Sequence, residues 1–486
     1  MYSVIAVAGA AAAVVAAAAG PATAAPGAGQ LPGAPRSAAA ASRPPAAQAL
    51  APPGVFGWGD NEFGQVGTGS VNAAEYDSPV AVTLPASTVQ VAASPDDFFS
   101  AAVLAGGTLE TWGNNTFGQV GDATTTKRYA PFAVPGLSHI IQVAVGGGHV
   151  LALDSAGTVW SWGNNTNGQL GNGTTSQIEG SNPTPVPVPG LHGIVQITAG
   201  DEFSMALRGD GSVWVWGRNN SGQLGDGTTV DRDSPEQLPA LTGLVSRLIA
   251  GEATSYAIRT DGTLLAWGDN SLGLLGKGTS GGFATAPAQV PGLTGVTQVA
   301  SAAFTTLAVT GPSAAMWAWG SNTDGESGDG TTTAHLSPEQ TSLTGVARVA
   351  AGRLMSAAVL SNGNLLTWGQ NSSGELGAGT HDSSDHPAPG LVRTLAGVSQ
   401  VALSFFSGLA IGSPAPRIPS LIGDTQAGAA ADLQAAGYVL GRVTFVVDIT
   451  CEYIGEVKAQ NPVAGTLDPP GTSVAVTIGK APGKCL

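Results

Sequence analysis

The chain is poor in the residues that most single-site chemistries require. Only two cysteines, Cys451 and Cys485, occur among its 486 residues, so no CxxC or Cys/His zinc spacing exists anywhere. Histidine is almost as scarce, at six. Lysine and arginine number 18 against 33 acidic residues, a formal net charge of −15. The imbalance is concentrated in residues 54–415, with 11 basic and 27 acidic side chains, whereas residues 416–486 hold 5 and 6. A body at −16 repels phosphate backbones, which excludes nucleic-acid binding and chromatin docking.

Two runs imitate functional motifs. His381-Asp382-Ser383-Ser384-Asp385-His386 contains every residue type of a hydrolase triad. A contiguous stretch cannot position nucleophile, base and orienting group as a folded site does, so it reads as a solvated loop. Asp226-Gly227-Thr228 and Asp329-Gly330-Thr331 lack the spaced carboxylates of a calcium loop and read as turns. Neither a catalytic residue nor a bound metal or cofactor is expected.

What the chain has in abundance is glycine, 71 residues, placed periodically. Trp-Gly pairs begin at 58, 112, 162, 216, 267, 319 and 368, each followed by Asn, Gly and Gly at fixed offsets. The fullest copy runs Val143-Ala144, Gly146, His149, Ala152-Leu153, Gly157, Val159-Trp160, Trp162-Gly163-Asn164-Asn165, then Gly168-Gln169-Leu170-Gly171. Alternating apolar and polar residues punctuated by glycine predict short antiparallel strands, roughly four per copy. The first half of the repeat begins near Val89, Ile141, Val195, Val245, Val296, Val346 and Val398. The Trp-Gly half at Trp58 has no first half before it, and the first half at Val398 has no Trp-Gly after it. Pairing residues 54–69 with 398–411 makes one unit from both ends and removes two exposed sheet edges.

The W-G-x-N-x-x-G-Q-L-G-x-G pattern preceded by V-A-x-G-x-x-H-x-x-A-L resembles the repeat of the regulator of chromosome condensation propeller family. The resemblance covers residues 54–413 and implies an all-β, seven-bladed propeller. The family's repeated histidine survives only as His149; Phe99, Phe203, Thr254, Thr305, Met355 and Ser407 occupy the equivalent positions, which marks the site as packing or capping. The Trp-Gly tryptophans, with Trp160, Trp214 and Trp317 two residues earlier, are expected between blades rather than on a carbohydrate-stacking platform. Gln65, Gln119, Gln169 and Gln223 are expected to hold turns.

Just before the histidine position the copies diverge, once per blade and at one end of the propeller. Variable turns on a rigid scaffold are where binding resides. Asp96, Asp97, Phe98, Asp201, Glu202, Glu252, Phe304, Arg353 and Phe405 are the candidate protein-binding residues, suited to a basic protein or peptide. Ordinary solvent-facing turns are the alternative. Secreted propeller-type inhibitors of β-lactamases resemble the same repeat and carry aromatic turns, which raises inhibition of a β-lactamase or penicillin-binding protein as a second function.

The two ends are different in kind. Residues 1–24 read as a signal peptide with Ala22-Thr23-Ala24 at its cleavage site, a retained anchor being the rival. Residues 25–53 are a disordered Ala/Pro-rich linker. Residues 416–486 combine a helix from Thr425 to Ala436, capped by Asp424 or Thr425 and ended by Gly437, with Gln460, Pro462, Ala464-Gly465, Pro470-Gly471 and alternating Val474, Val476 and Ile478. This closely resembles a PASTA domain, a small α+β module, and implies contact with peptidoglycan or, alternatively, a spacer role. Cys451 and Cys485 both lie in it and are expected to form a disulfide in an exported chain, two free thiols being the alternative. The expectation is a monomeric, non-enzymatic bacterial protein, secreted or attached to the cell envelope, binding an unknown protein such as a cell-wall enzyme. A guanine-nucleotide exchange role follows only from family analogy, and a glycan-active enzyme is the third class.

Overall fold

The computed structural model describes residues 50–70, 75–94, 98–176 and 180–483. Asp96, Asp97, Cys485 and the expected signal and linker residues 1–49 lie outside them. Seven four-stranded antiparallel sheets and one three-stranded sheet account for the described strands. A representative sheet comprises Ile140–Val145, His149–Asp154, Val159–Asn164 and Ser181–Pro187, each strand paired with the next. One sheet draws on both ends of the repeat region. Gly54–Gly59 pairs with Ser407–Pro414, which pairs with Leu395–Leu403. Its fourth strand, Tyr76–Val82, lies beyond the expected boundary at residue 69.

The last strand of every sheet carries proline: Pro79, Pro131, Pro183, Pro235, Pro287, Pro338 and Pro387. Proline cannot donate to a ladder, so it suits an edge strand and blunts that edge against further pairing. At the opposite edge, glutamine side chains lock neighbouring sheets. Gln90 donates from Nε2 to Val143 O at 2.8 Å and accepts from Val143 N at 2.9 Å. Gln142 does the same to Ile197 and Gln196 to Leu248, while Val91 N donates to Gln400 Oε1 at 2.7 Å.

The Trp-Gly repeat owes its constancy to the seams between sheets. All seven tryptophans of the pairs are fully buried. Each indole Nε1 donates to a backbone carbonyl of the preceding sheet: Trp112 to Gln65, Trp162 to Gln119, Trp216 to Gln169, Trp267 to Gln223, Trp319 to Leu274 and Trp368 to Glu326. Trp58 makes the seventh such bond, 2.7 Å, to Glu375. Two residues after each acceptor stands a glycine, because a Cβ on Gly67 would lie 2.7 Å from Trp112 Nε1, and the other six positions are similarly filled by the next indole. The Asn of each copy accepts on Oδ1 from the backbone N–H five residues on, as in Asn165 from Leu170 at 3.0 Å. Trp160, Trp214 and Trp317 are only partly buried and pack against the same seams.

Residues 416–483 contain the helix Gln426–Ala435, with Thr425 Oγ1 accepting from Gly428 N, and Gly437 following at φ 84°. Asp424 does not supply the cap. Val439–Val447 runs parallel and Val457–Asn461 antiparallel to the central Ser473–Lys480. Ile418, Leu421, Leu433, Tyr438, Val474, Val476 and Ile478 form the separate core. An ion pair bolts the module to the repeat region: Arg393, between the strands His386–Leu391 and Leu395–Leu403, donates from Nη1 to both oxygens of fully buried Asp468 at 2.9 Å. Among the described residues no helix is long and apolar enough to cross a membrane.

Candidate functional site: the turn face

The variable turns all connect the first and second strands of a sheet, and one device fixes all seven. The residue after each Trp-Gly donates its N–H to the carbonyl of the turn's last residue: Asn114 to Phe98, Asn164 to Gly148, Arg218 to Glu202, Asp269 to Ala253, Ser321 to Phe304, Gln370 to Leu354 and Asp60 to Phe406, at 2.7 to 3.0 Å. The intervening glycine has positive φ in every copy, from 90° at Gly59 to 124° at Gly320. A Cβ there would collide with the same turn carbonyl. Turn sequence is thereby released from folding duty, because the backbone clamp is supplied by the Trp-Gly side.

The position after each turn is buried in every sheet, whether His149, Phe99, Phe203, Thr254, Thr305, Met355 or Ser407. Each is the first residue of its strand and faces the glycine of Trp-Gly across the ladder, as His149 faces Gly163. His149 Nε2 lies 2.9 Å from Ser204 Oγ, and burial pushes the imidazole down to about 4. It is a neutral packing residue, as the Phe, Thr and Met substitutions imply.

The glutamines hold their turns by accepting on Oε1 from the backbone N–H two residues earlier: Gln65 from Phe63, Gln119 from Phe117, Gln169 from Asn167 and Gln223 from Ser221, at 2.8 to 3.0 Å. Glu326 and Glu375 take over this position in two copies, each fully buried and accepting from Asp324 N and Ser373 N. Desolvation pushes Glu326 up to about 7, with Asp324 and Asp385 adding to the shift, and raises Glu375 as well.

The predicted binding residues that are described fall into two groups, while Asp96 and Asp97, which precede Phe98, lie outside the described residues. Phe98 stacks on Phe63, centroids 4.8 Å apart and planes 8° from parallel, and meets Phe405 at 6.2 Å. Phe405 packs edge-on against Phe406 at 4.1 Å. The Arg353 guanidinium lies over Phe405 at 5.0 Å and over Phe304 at 5.5 Å. Asp201, Glu202 and Glu252 belong to other turns and line a cleft of about 280 Å³ together with Asp269 and Arg218. Arg218 is ion-paired with Glu202. Phe63, Asp269 and Arg218 escape a turn-only reading because they follow Trp-Gly, Asp269 ending its strand and the other two standing in the loops beyond. Their signal is positional, since Phe63 and Phe117 sit five residues after successive repeat tryptophans.

The motif-like runs make local and inter-sheet hydrogen bonds. Asp226 accepts from Thr228 N and Arg232, closing its turn. His381 Nδ1 lies 2.9 Å from Asp77 Oδ1 of the neighbouring sheet, and His386 Nε2 lies 3.1 Å from Asp382. In the C-terminal module Cys451 has φ 56°, and no cysteine is free among the described residues.

A family model described as the RCC1-like domain matches residues 48–342 and, overlapping, 133–413. The ultraviolet-B receptor UVR8 of Arabidopsis thaliana is 32% identical over 276 residues, 55% of this chain and 62% of the receptor. The E3 ubiquitin-protein ligase HERC2 of Mus musculus is 31% identical over 234 residues, 46% of this chain and 5% of the ligase. The chain therefore spans less than two thirds of either relative. Among solved structures, human WBSCR16 aligns with a TM-score of 0.67 at 23% identity, covering 74% of this chain and 99% of that one. Prp20p of Saccharomyces cerevisiae aligns at 0.66 and 21%, covering 76% and 94%. The matched repeats, their glycine-dependent turn clamps and the seven-fold indole seam together place this chain in the RCC1-like domain family.

Proposed function

We propose that this protein is a non-enzymatic binding protein whose turn face recognises another protein. The carrying observation is the pre-assembled aromatic array of Phe63, Phe98, Phe405, Phe406 and Phe304 under Arg353. Rings that already hold one another lose little rotamer freedom on binding, which favours a hot-spot role. Relatives of the same fold point the same way, since Prp20p was characterised together with its binding to Gsp1p and histones, and yeast RCC1 was solved bound by Kap60. The seven sheets are read as blades of one closed ring, supported by the indole bond from Trp58 to Glu375 and by Gln400 reaching Val91.

Residues 416–486 are read as a PASTA domain contacting peptidoglycan, with Cys451 joined to Cys485, and residues 1–24 as a signal peptide. The whole is then a secreted or envelope-associated bacterial protein. Inhibition of a β-lactamase or penicillin-binding protein is the second reading, favoured by the contiguity of Phe98 and Phe405. The test is affinity capture from envelope proteins and sacculi by residues 25–486, beside the variant with Phe98, Phe304 and Phe405 changed to alanine. A partner identified with the parent chain and lost with the variant supports recognition by the face. Equal capture by both removes that function from the face. Inhibition of a purified β-lactamase or transpeptidase at stoichiometric protein selects the second reading.

A further inference from the structure

At the strand ends opposite the variable turns, one cleft reverses the charge of the whole. Residues 54–415 hold 11 basic side chains against 27 acidic ones. Five of the 11 pair with carboxylates and three lie over aromatic rings, which leaves Arg247, Lys277 and Arg348 with neither among the described residues. Arg247 and Arg348 take the same place on the first strands of their sheets, opposite Ile258 and Val359, where the other five carry Gln90, Gln142, Gln196, Gln298 and Gln400. Arg348 keeps part of the glutamine's task, donating from Nε to Ser399 O of the next sheet at 3.3 Å, while its two Nη groups make no hydrogen bond to a described residue. It lines a cleft of about 550 Å³ that also holds Gln298, Asn362, Ser399, Leu360 and Val398 and contains no acidic side chain. Asn362 closes its hairpin by accepting from Asn364 N, as Asp210 and Asp261 do from Ser212 N and Thr263 N, so the same turn is built here without the carboxylate. Outside the described residues, 1–49 contain no acid, and Asp96, Asp97 and Glu179 belong by sequence to connections at the other strand ends.

We propose that the Arg348 cleft is a binding site for a carboxylate monoanion carrying an apolar group, held by the guanidinium and the Asn362 amide. A guanidinium whose outer nitrogens are unengaged offers a planar fork that matches the two oxygens of a carboxylate. The cleft supplies one positive charge, and the repeat region around it is at −16. A monoanion is neutralised there, whereas a phosphate dianion brings a second charge that the surrounding field opposes. Leu360 and Val398 stand beside the charge and receive the apolar group. A free acyl acid and the C-terminal end of a peptide share this chemistry. The site lies away from the variable turns, so its fate leaves the protein-recognition reading of that face untouched.

Ligand-observed NMR titration of the purified chain with N-acetyl-leucine, N-acetyl-leucinamide, inorganic phosphate and an acetylated tetrapeptide ending in leucine tests this. The acid should bind and the amide should not. R348Q installs the residue of five sister strands, and N362D the residue of two sister hairpins, so both should keep the parent's tryptophan fluorescence and melting. Each should weaken binding of the acid about tenfold or more, because one removes the cation and the other adds a competing carboxylate. R247Q changes the same repeat position two sheets away and should leave affinity within about twofold. Tighter binding of the tetrapeptide than of the acid assigns the site to peptide ends, and equal affinity assigns it to small acids. Binding of the amide as well as the acid, competition by phosphate at equal concentration, or equal losses on R348Q and R247Q overturns the inference. So does the absence of binding by both acid and tetrapeptide at about 10 mM.

Discussion

Changing Glu326 to glutamine should make the protein more stable in mildly alkaline solution and flatten its pH dependence. Four sister sheets carry glutamine at this position, each accepting the same backbone N–H. Glu326 accepts that bond on Oε2 from Asp324 N at 3.0 Å, while its buried Oε1 has no hydrogen-bond partner. An ionised carboxylate there loses water on both oxygens and regains one bond. Its folded-state value of about 7 lies above the ordinary 4.5, so the folded state holds the proton longer. Below pH 4.5 both states are protonated and nothing is lost. As pH rises through the window from 4.5 to 7 only the unfolded state ionises, and stability falls. Above pH 7 the loss is complete, on the order of 3 kcal/mol at about 1.4 kcal/mol per pK unit. Urea unfolding at pH 5 and pH 8, followed by tryptophan fluorescence, reports on the repeat sheets because all ten tryptophans lie in them. E326Q should exceed the parent at pH 8 by most of that amount and approach it at pH 5, converging below pH 4.5. Parallel pH profiles for parent and variant would refute the reasoning. Glu375 shares the position and the direction of shift, so E375Q should remove part of whatever dependence remains.

His149 tests the opposite sign. Its folded value near 4 lies below the ordinary 6.5, so stability should fall as pH drops through that window. H149F, the residue already present at Phe99 and Phe203, should abolish that loss in acid unfolding curves. G163A places a Cβ against Gly148 O at φ 101° and should cost at least about 2 kcal/mol in urea unfolding, whereas G106A, which meets nothing within 4 Å, should be neutral. D468N should weaken the bolt to Arg393 and increase limited proteolysis across residues 414–418 without altering tryptophan fluorescence. If Cys451 and Cys485 are joined, the intact mass should rise by two hydrogen atoms on reduction, and the C-terminal module should lose roughly 3 to 4 kcal/mol.

The period of Trp-Gly, Asn and the two glycines determined the all-β repeat architecture, its seven copies and the rough place of every strand but one per sheet. That is possible because each copy meets the same neighbours, so the same few side chains solve the same seam seven times. The missed strands, such as Tyr76–Val82 and Arg232–Gln237, are short, half-exposed and proline-bearing. They carry no alternation because they are edges. The helix in the C-terminal module was legible from Thr425 and Gly437, yet only the fold chose between Asp424 and Thr425 as its cap. The candidate face was legible as a set of variable turns, but not its division into an aromatic arc and an acidic cleft. Phe63 stacks on Phe98, and Asp269 joins Glu252, across distances in sequence that no local pattern encodes. Local backbone and packing constraints repeat and can be read one copy at a time; which side chains meet across the face depends on how successive sheets are set beside one another, and tertiary structure alone decides that.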